Sequence, residues 1–292
     1  MLKDLIKPLI SGRTRSKLAR IRVQSRRPTA ALRRLPDFMI IGGMRCGTSS
    51  LYRYLGSHPE ITPSIRKETE FFSRNFDLGV GWYRAHFPLR ALRKLGLPSR
   101  SFEATPYYLL HPHAPIRAAQ IVPAAKLIVM LRDPTARAFS HHQHMFRLGL
   151  ETLDFEDALE HEAGRTDDQW RKLLADPDFD SLTLHRHSYM RRGEYVAQIR
   201  RWLEFFPREN MLFVQFEKFF SDPREEYGRI LDFLEVSQEL PPEFRNFSYL
   251  SAKKPSKEQS NRIPDHVQST LRDHFRVANA ELGELIGELP PW

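Results

Sequence analysis

Four short apolar runs stand out from an otherwise polar chain: "DFMII" (37–41), "RSFEATP" (100–106), "KLIVML" (126–131) and "NMLFVQF" (210–216). Each is strand-length, carries β-branched or aromatic residues, and is bounded by Gly, Pro, Asp or Asn, which predicts buried strands. Elsewhere the apolar positions recur at helical spacing, predicting helices over Thr48–Gly56, Pro134–Arg147, Asp154–Glu162, Ser188–Phe206, Arg224–Leu234 and Pro264–Ile286. Buried strands alternating with helices predict a single α/β domain whose central, mostly parallel sheet is flanked by helices. The polar, basic stretch "KKPSKEQSNRI" (253–263) reads as a lid loop on that domain.

The 292 residues are 41% hydrophobic with 20 Phe, enough for one large core. No apolar run approaches the ~20 residues of a membrane-spanning helix. A single cysteine, Cys46, excludes an internal disulfide and favours a reducing, cytoplasmic setting. Charge redraws the domain map. Residues 1–36 hold eleven Lys/Arg against Asp4 alone, a net +10, and because the whole chain is +9 the other 256 residues are −1. The sequence therefore divides into a basic, flexible arm (1–36) and a folded domain (37–292). The arm lacks the apolar stretch of a secretory signal. It reads as a solvated leader, an Arg-rich transit segment, or an arm drawn to an anionic membrane surface or nucleic acid. Peripheral membrane association is retained as an expectation for it, and nucleic acid is not expected.

The first strand runs into a glycine-rich turn and then a helix, "FMIIGGMRCGTSSLYRYL" (38–55). Such a turn gathers backbone amides and the positive helix end into an anion site. Gly42 and Gly47 have the spacing of the G-x-x-x-x-G-K-[ST] phosphate loop, but Thr48 stands where the lysine belongs, and Arg45 supplies charge from inside the loop. "KLIVML" ends in Arg132 and not in a magnesium-binding acid, so this P-loop-like turn suits a phosphate held without metal. A plain glycine turn opening a helix is the bland alternative. "LRDPTARAFSHHQH" (131–144) places Arg132 at the lip of a second core strand and Ser140 two helical turns on, where ligands of open α/β sheets bind. Two phosphate pockets describe adenosine 3′,5′-bisphosphate better than a triphosphate. His141 and His144 lie one turn apart, but no third metal ligand accompanies them.

Taken together, "IIGGMRCGTSSLYRYLGSHP" (40–59), "KETEFF" (67–72), "FEATPYYL" (102–109), "LRDPTARAFSHHQH" and the stretch from Arg191 to Leu234 resemble the PAPS-dependent sulfotransferases (PAPS is 3′-phosphoadenosine 5′-phosphosulfate) of the heparan-sulfate type and their soluble bacterial relatives. The resemblance implies PAPS as sulfuryl donor, PAP as product, no metal, and a small-molecule, glycan or glycolipid acceptor sulfated on a hydroxyl, less readily on an amine. It implies that Gly47, Thr48 and Ser49 wrap the 5′-phosphosulfate, with Cys46 and Ser50 in the same loop and Arg45 facing the leaving phosphate. It places Arg132 and Ser140 on the 3′-phosphate, Glu68 as catalytic base in preference to Glu70, and His144 near the transferred group. Arg192 and Arg262 are implied cofactor contacts. The family's usual lysine is replaced by Arg45, which keeps charge but cannot act as an acid. Ala104 replaces another lysine beside Glu103, and Cys46 reads as a small filler open to oxidation. Phe71, Phe72, Trp82, Tyr83, Tyr107 and Tyr108 leave two readings, core or a stacking surface for a sugar. A P-loop kinase or NTPase, or a non-catalytic nucleotide-binding relative, are the competing functions.

Overall fold

The computed structural model describes residues 12–91, 100–241, 243–245, 247, 262–287 and 292. In chain order the helices are α1 (Gly12–Arg26), α2 (Thr48–Ser57), α3 (Gly79–Arg84), α4 (Ala114–Ile121), α5 (Pro134–Arg147), α6 (Phe155–Glu160), α7 (Glu162–Ala175), α8 (Leu182–His187), α9 (Tyr195–Leu203), α10 (Phe216–Ser221), α11 (Pro223–Leu234) and α12 (Asp265–Ile286). The strands are β1 (Phe38–Gly42), β2 (Ile61–Pro63), β3 (Arg100–Ala104), β4 (Lys126–Leu131) and β5 (Met211–Gln215). All five pair in parallel in the order β2-β3-β1-β4-β5.

Strand periodicity explains the two-sided core, because alternate residues face opposite sides of the sheet. Met39, Ile41, Leu127 and Val129 point to one side, against Ile199 and Trp202 of α9 and Ala118 of α4. Phe38, Ile40, Ile128 and Met130 point to the other, against Leu51 and Leu55 of α2 and Ile230 and Leu231 of α11. Leu127 to Leu131 are completely buried, each such side chain contributing ~1.5–3 kcal/mol of hydrophobic stabilisation. With β3 on one side of β1 and β4 on the other, successive crossovers leave a crevice beyond the carboxyl ends of β1 and β4.

Several boundaries depart from the expected ones. The predicted helix over 188–206 is shortened to α9 and preceded by a 3-10 turn at Arg191–Gly193. A β-carbon at Gly193 would lie 2.7 Å from Phe275 and 2.9 Å from Pro134, so the backbone here passes too close to α12 and α5 to continue an ordinary helix surface. β2 escaped prediction because it is three residues long and ends in Pro63. The stretch read as a flexible arm is helical over α1, and Arg33 and Arg34 are buried. Arg33 donates to Phe87 O (3.0 Å), while Arg84 and Arg90 both donate to Arg33 O (2.9 and 3.1 Å). These arginine stems and forks stitch residues 27–36 to the α3 region, which charge counting could not reveal. The predicted lid lies outside the described residues apart from Arg262 and Ile263.

Glu151 ties the segment after α5 to α7 and α8. Its buried carboxylate accepts from Arg165 (2.9 Å), Tyr189 OH (2.9 Å) and the Thr152 and Leu153 amides (2.9 and 3.1 Å), with His187 Nδ1 at 3.1 Å. Burial pushes its pKa up, but these donors outweigh burial and hold it down at about 2. A depressed carboxylate contributes stability above its unfolded value of 4.5 and loses it as pH falls toward 2. Glu151→Gln is therefore expected to lower stability at pH 7 by roughly 1–3 kcal/mol. It should also flatten the acid limb of thermal melts recorded between those two pH values.

Candidate active site

The crevice holds a cleft of about 910 Å³. Gly47 opens α2 at φ +88°, and a β-carbon there would lie 2.9 Å from the Phe220 ring, so only glycine lets the turn close against α10. Thr48 and Ser49 start the helix, where backbone amides have no intrahelical acceptor, and they line the cleft. Arg45 sits at φ +70°, a left-handed conformation that a non-glycine residue rarely adopts. Its Nε donates to Ser140 Oγ (3.1 Å), joining the glycine loop to α5 across 95 residues of sequence. Arg132 donates to Arg45 O (3.3 Å) and lies 4.3 Å over the Phe216 ring. Tyr195 OH donates to Arg132 O (3.0 Å), so α9 fixes the β4 lip.

The opposite wall is the 67–72 segment, and a buried carboxylate holds it. Glu103, fully buried on β3, accepts from Thr69 Oγ1 (2.6 Å), Tyr83 OH (2.6 Å), Thr105 Oγ1 (2.7 Å) and Tyr108 OH (3.0 Å). Burial pushes its pKa up, and these four hydroxyls oppose that. The Glu68 amide donates to Ala104 O (2.9 Å). Glu68 and Glu70, at φ +61° and +53°, flank the anchored Thr69. Glu68 is 45% exposed and pairs with Lys67 at 2.6 Å. Glu70 is 17% exposed and is held by Arg74 (3.3 Å) and His185 (3.7 Å). Burial pushes its pKa up, but His185 and Arg74 outweigh it and bring it below the usual range.

His144 lines the cleft beside these groups. Burial, then Arg45 and Arg147, push its pKa down to about 4, with Glu68 opposing, so it is a neutral imidazole at neutral pH. His141 is fully buried against Tyr189, 4.9 Å between rings, and does not reach the cleft with it. Arg192 is buried, donates to His185 O (3.3 Å), stacks 5.1 Å over Tyr107 and lines the cleft. Arg262 reaches the cleft edge, exposed and paired with Asp265 (2.8 Å).

The structure thus brings Arg45, Gly47, Thr48, Ser49, Glu68, Arg132, Ser140, His144, Arg192 and Arg262 to one cleft, and leaves Cys46 and Ser50 out. The Cys46 amide is spent on Gly43 O (3.1 Å), and its side chain is buried 3.7 Å from Tyr195 OH. Burial pushes that thiol up, which removes the thiolate that oxidation needs and corrects the expected liability. The Ser50 amide is spent on Gly47 O (2.9 Å), and its hydroxyl accepts from the Phe247 amide (3.0 Å). Both residues brace the loop from behind. Of the six aromatics, Phe71, Phe72, Tyr83 and Tyr108 are core, and Tyr107 alone lines the cleft. Sequence reading missed Gln143, Arg147, His185 and Arg186. The first two follow Ser140 at helical spacing and were legible there; α8, which carries the others, has no apolar periodicity of its own.

A family model described as a sulfotransferase domain matches residues 35–281. Heparan sulfate glucosamine 3-O-sulfotransferase 6 of Mus musculus is 27% identical over 279 residues, covering 89% of this chain and 74% of that protein. Heparan sulfate glucosamine 3-O-sulfotransferase 3B1 of Homo sapiens is 32% identical over 204 residues, 69% of this chain and 46% of that protein. The chain therefore spans from about half to three-quarters of these relatives' lengths. A sulfotransferase crystal structure from Alicyclobacillus acidocaldarius shares the fold with a TM-score of 0.66 at 29% identity, covering 87% of this chain and 97% of that one.

The cleft geometry predicts that His144 stays neutral from about pH 8 down to about pH 5, because its proton is taken up only near pH 4. Nitrogen-detected NMR of the imidazole should show no titration in that range, and Arg45→Gln should raise its pKa. An imidazolium signal at pH 6 would contradict the electrostatic description of this wall.

Proposed function

The chain belongs to the sulfotransferase family, and from that premise we propose that it transfers a sulfuryl group from PAPS to a hydroxyl of a carbohydrate acceptor. The observation that carries this reading is the Arg45–Ser140 contact, which joins the glycine loop to the Arg132 segment and so supports two anion-binding groups acting in one cleft. The residues fit such a donor. Gly47 lets the loop turn tightly into α2, where the Thr48 and Ser49 amides open the helix at the cleft, and Arg192 Nε is buried, among the described residues, without a hydrogen-bond partner. When bound, the donor supplies a sulfuryl group on a 5′-phosphate leaving group, together with a 3′-phosphate as a second handle.

In this reading the Thr48 and Ser49 amides and hydroxyls hold the 5′ end at the positive end of α2. Arg45 keeps a permanent charge beside the departing phosphate, favouring the transition state in which negative charge accumulates there. Arg132 and Ser140 take the 3′-phosphate. Glu68 removes the acceptor's proton. It suits that role better than Glu70, whose carboxyl is more enclosed and held below the usual range by two partners. Neutral His144 offers an acceptor and a donor nitrogen beside the reacting centre without adding charge. Lys67, Arg147 and Arg186 remain on the acceptor side, which suits an acidic glycan of the kind that the relatives' names indicate.

Calorimetric titration with adenosine 3′,5′-bisphosphate, in the absence of added metal, is expected to show tight binding that Arg132→Ala weakens about 10- to 100-fold. Equal or tighter binding of ADP with magnesium would return the kinase reading. Glu68→Gln should lower kcat about 10²- to 10⁴-fold while leaving bisphosphate affinity unchanged. Near-normal turnover of that variant would remove Glu68 as the base. Thr69→Val, which cuts the tie to Glu103, should lower kcat without weakening bisphosphate binding, because only the loop bearing Glu68 is released.

A further inference from the structure

The helical arm presents a surface that the cleft chemistry does not use. Val23 of α1 is 4% exposed and packs inward, whereas Leu18 and Ile21 are 51% and 58% exposed. At ~100° per residue, Leu18 and Ile21 lie about 60° apart and roughly 140–160° from Val23, so they form an outward apolar stripe on the side opposite the packed one. Lys17 and Arg22 flank the midpoint of that stripe at roughly 70° on either side, both exposed. Arg20 and Arg27 are exposed as well, α1 and the following 3-10 turn contain no acid, and no ion pair joins any of these cations to an acidic partner among the described residues. Arg26, half-buried between Arg22 and Arg33, has its pKa lowered to about 10 by burial and by those two like charges. Such crowding is relieved by an external anion.

We propose that α1 docks flat on an anionic lipid bilayer, with Leu18 and Ile21 entering the headgroup–acyl boundary and the flanking Lys17 and Arg22 meeting lipid phosphates and carboxylates. The pairing of features selects the partner. Nucleic-acid backbone contacts require cations alone, whereas two apolar side chains on the outermost line of a basic helix gain free energy only where an apolar phase is available. No described helix is long and apolar enough to cross a membrane. The body is held to α1 through the buried Arg33 region, which places the whole enzyme at the bilayer.

The test is co-sedimentation of the full chain with phosphatidylcholine vesicles, with and without phosphatidylserine, at low and high salt. Binding is expected only with phosphatidylserine and should weaken as salt rises. Leu18→Ser with Ile21→Ser, which leaves every charge in place, and Lys17→Glu with Arg22→Glu should each reduce binding at least about tenfold. Both variants should keep the wild-type affinity for adenosine 3′,5′-bisphosphate, which shows that the body is intact whatever the vesicle result. The proposal is overturned by three outcomes: equal binding, or none, to both vesicle types; undiminished binding by the Leu18/Ile21 variant; or a DNA or RNA duplex competing the chain off the vesicles.

Discussion

A carboxylate taken out of water without a cation beside it must be satisfied by hydrogen-bond donors, and Glu103 imposes that requirement on the centre of the molecule. Among the described residues no Lys or Arg lies within ion-pair distance of it, and hydroxyls from four places in the sequence converge on its two oxygens. Thr69 is one of them, so the segment carrying Glu68 is pinned to the sheet at a single buried point. Tyr83 brings α3, and Tyr108 and Thr105 bring the turn after β3. The unusual backbone of Glu68 and Glu70 on either side of Thr69 follows from meeting this demand in a short loop.

The other wall of the cleft solves the opposite problem, the gathering of positive charge. Arg132 and Arg192 are held by backbone carbonyls and aromatic rings, with no acidic partner among the described residues. Carbonyl and ring contacts position a guanidinium without neutralising it, so its charge remains available to a ligand. The cost of gathering cations in a partly buried cleft appears in two groups. Burial lowers the Arg192 pKa to about 10, and burial together with Arg45 and Arg147 keeps His144 neutral. An anion entering the cleft relieves both effects, which is the physical basis for the donor site proposed above.

The strands over 37–41, 126–131 and 210–216, and the glycine loop between β1 and α2, were legible because strand burial on both faces and turn chemistry are local properties of a sequence. The helix boundaries were less so. Gly193 ends a helical pattern for a reason that lies in Phe275 and Pro134, residues far from it in the chain. Cys46 and Ser50 belong to the loop by position, yet their amides already serve the turn and the helix, and loop membership alone does not say which amides stay open. The basic arm shows the same limit: its charge was countable, but the burial of Arg33 and Arg34 depends on Phe87 and on the α3 region.

Sequence alone determined the alternation of strand and helix, the glycine-rich turn into a helix with Arg45 inside it, and the identity of the residues that could meet at the sheet's carboxyl edge, since these depend on residue type and short spacing. Only the tertiary structure decided that Arg45 reaches Ser140, that Glu103 holds the Glu68 segment through Thr69, and that α1 turns Leu18 and Ile21 outward. Those outcomes rest on contacts between residues distant in sequence and on which face of an element is already covered, and both are set by the packing of the whole chain.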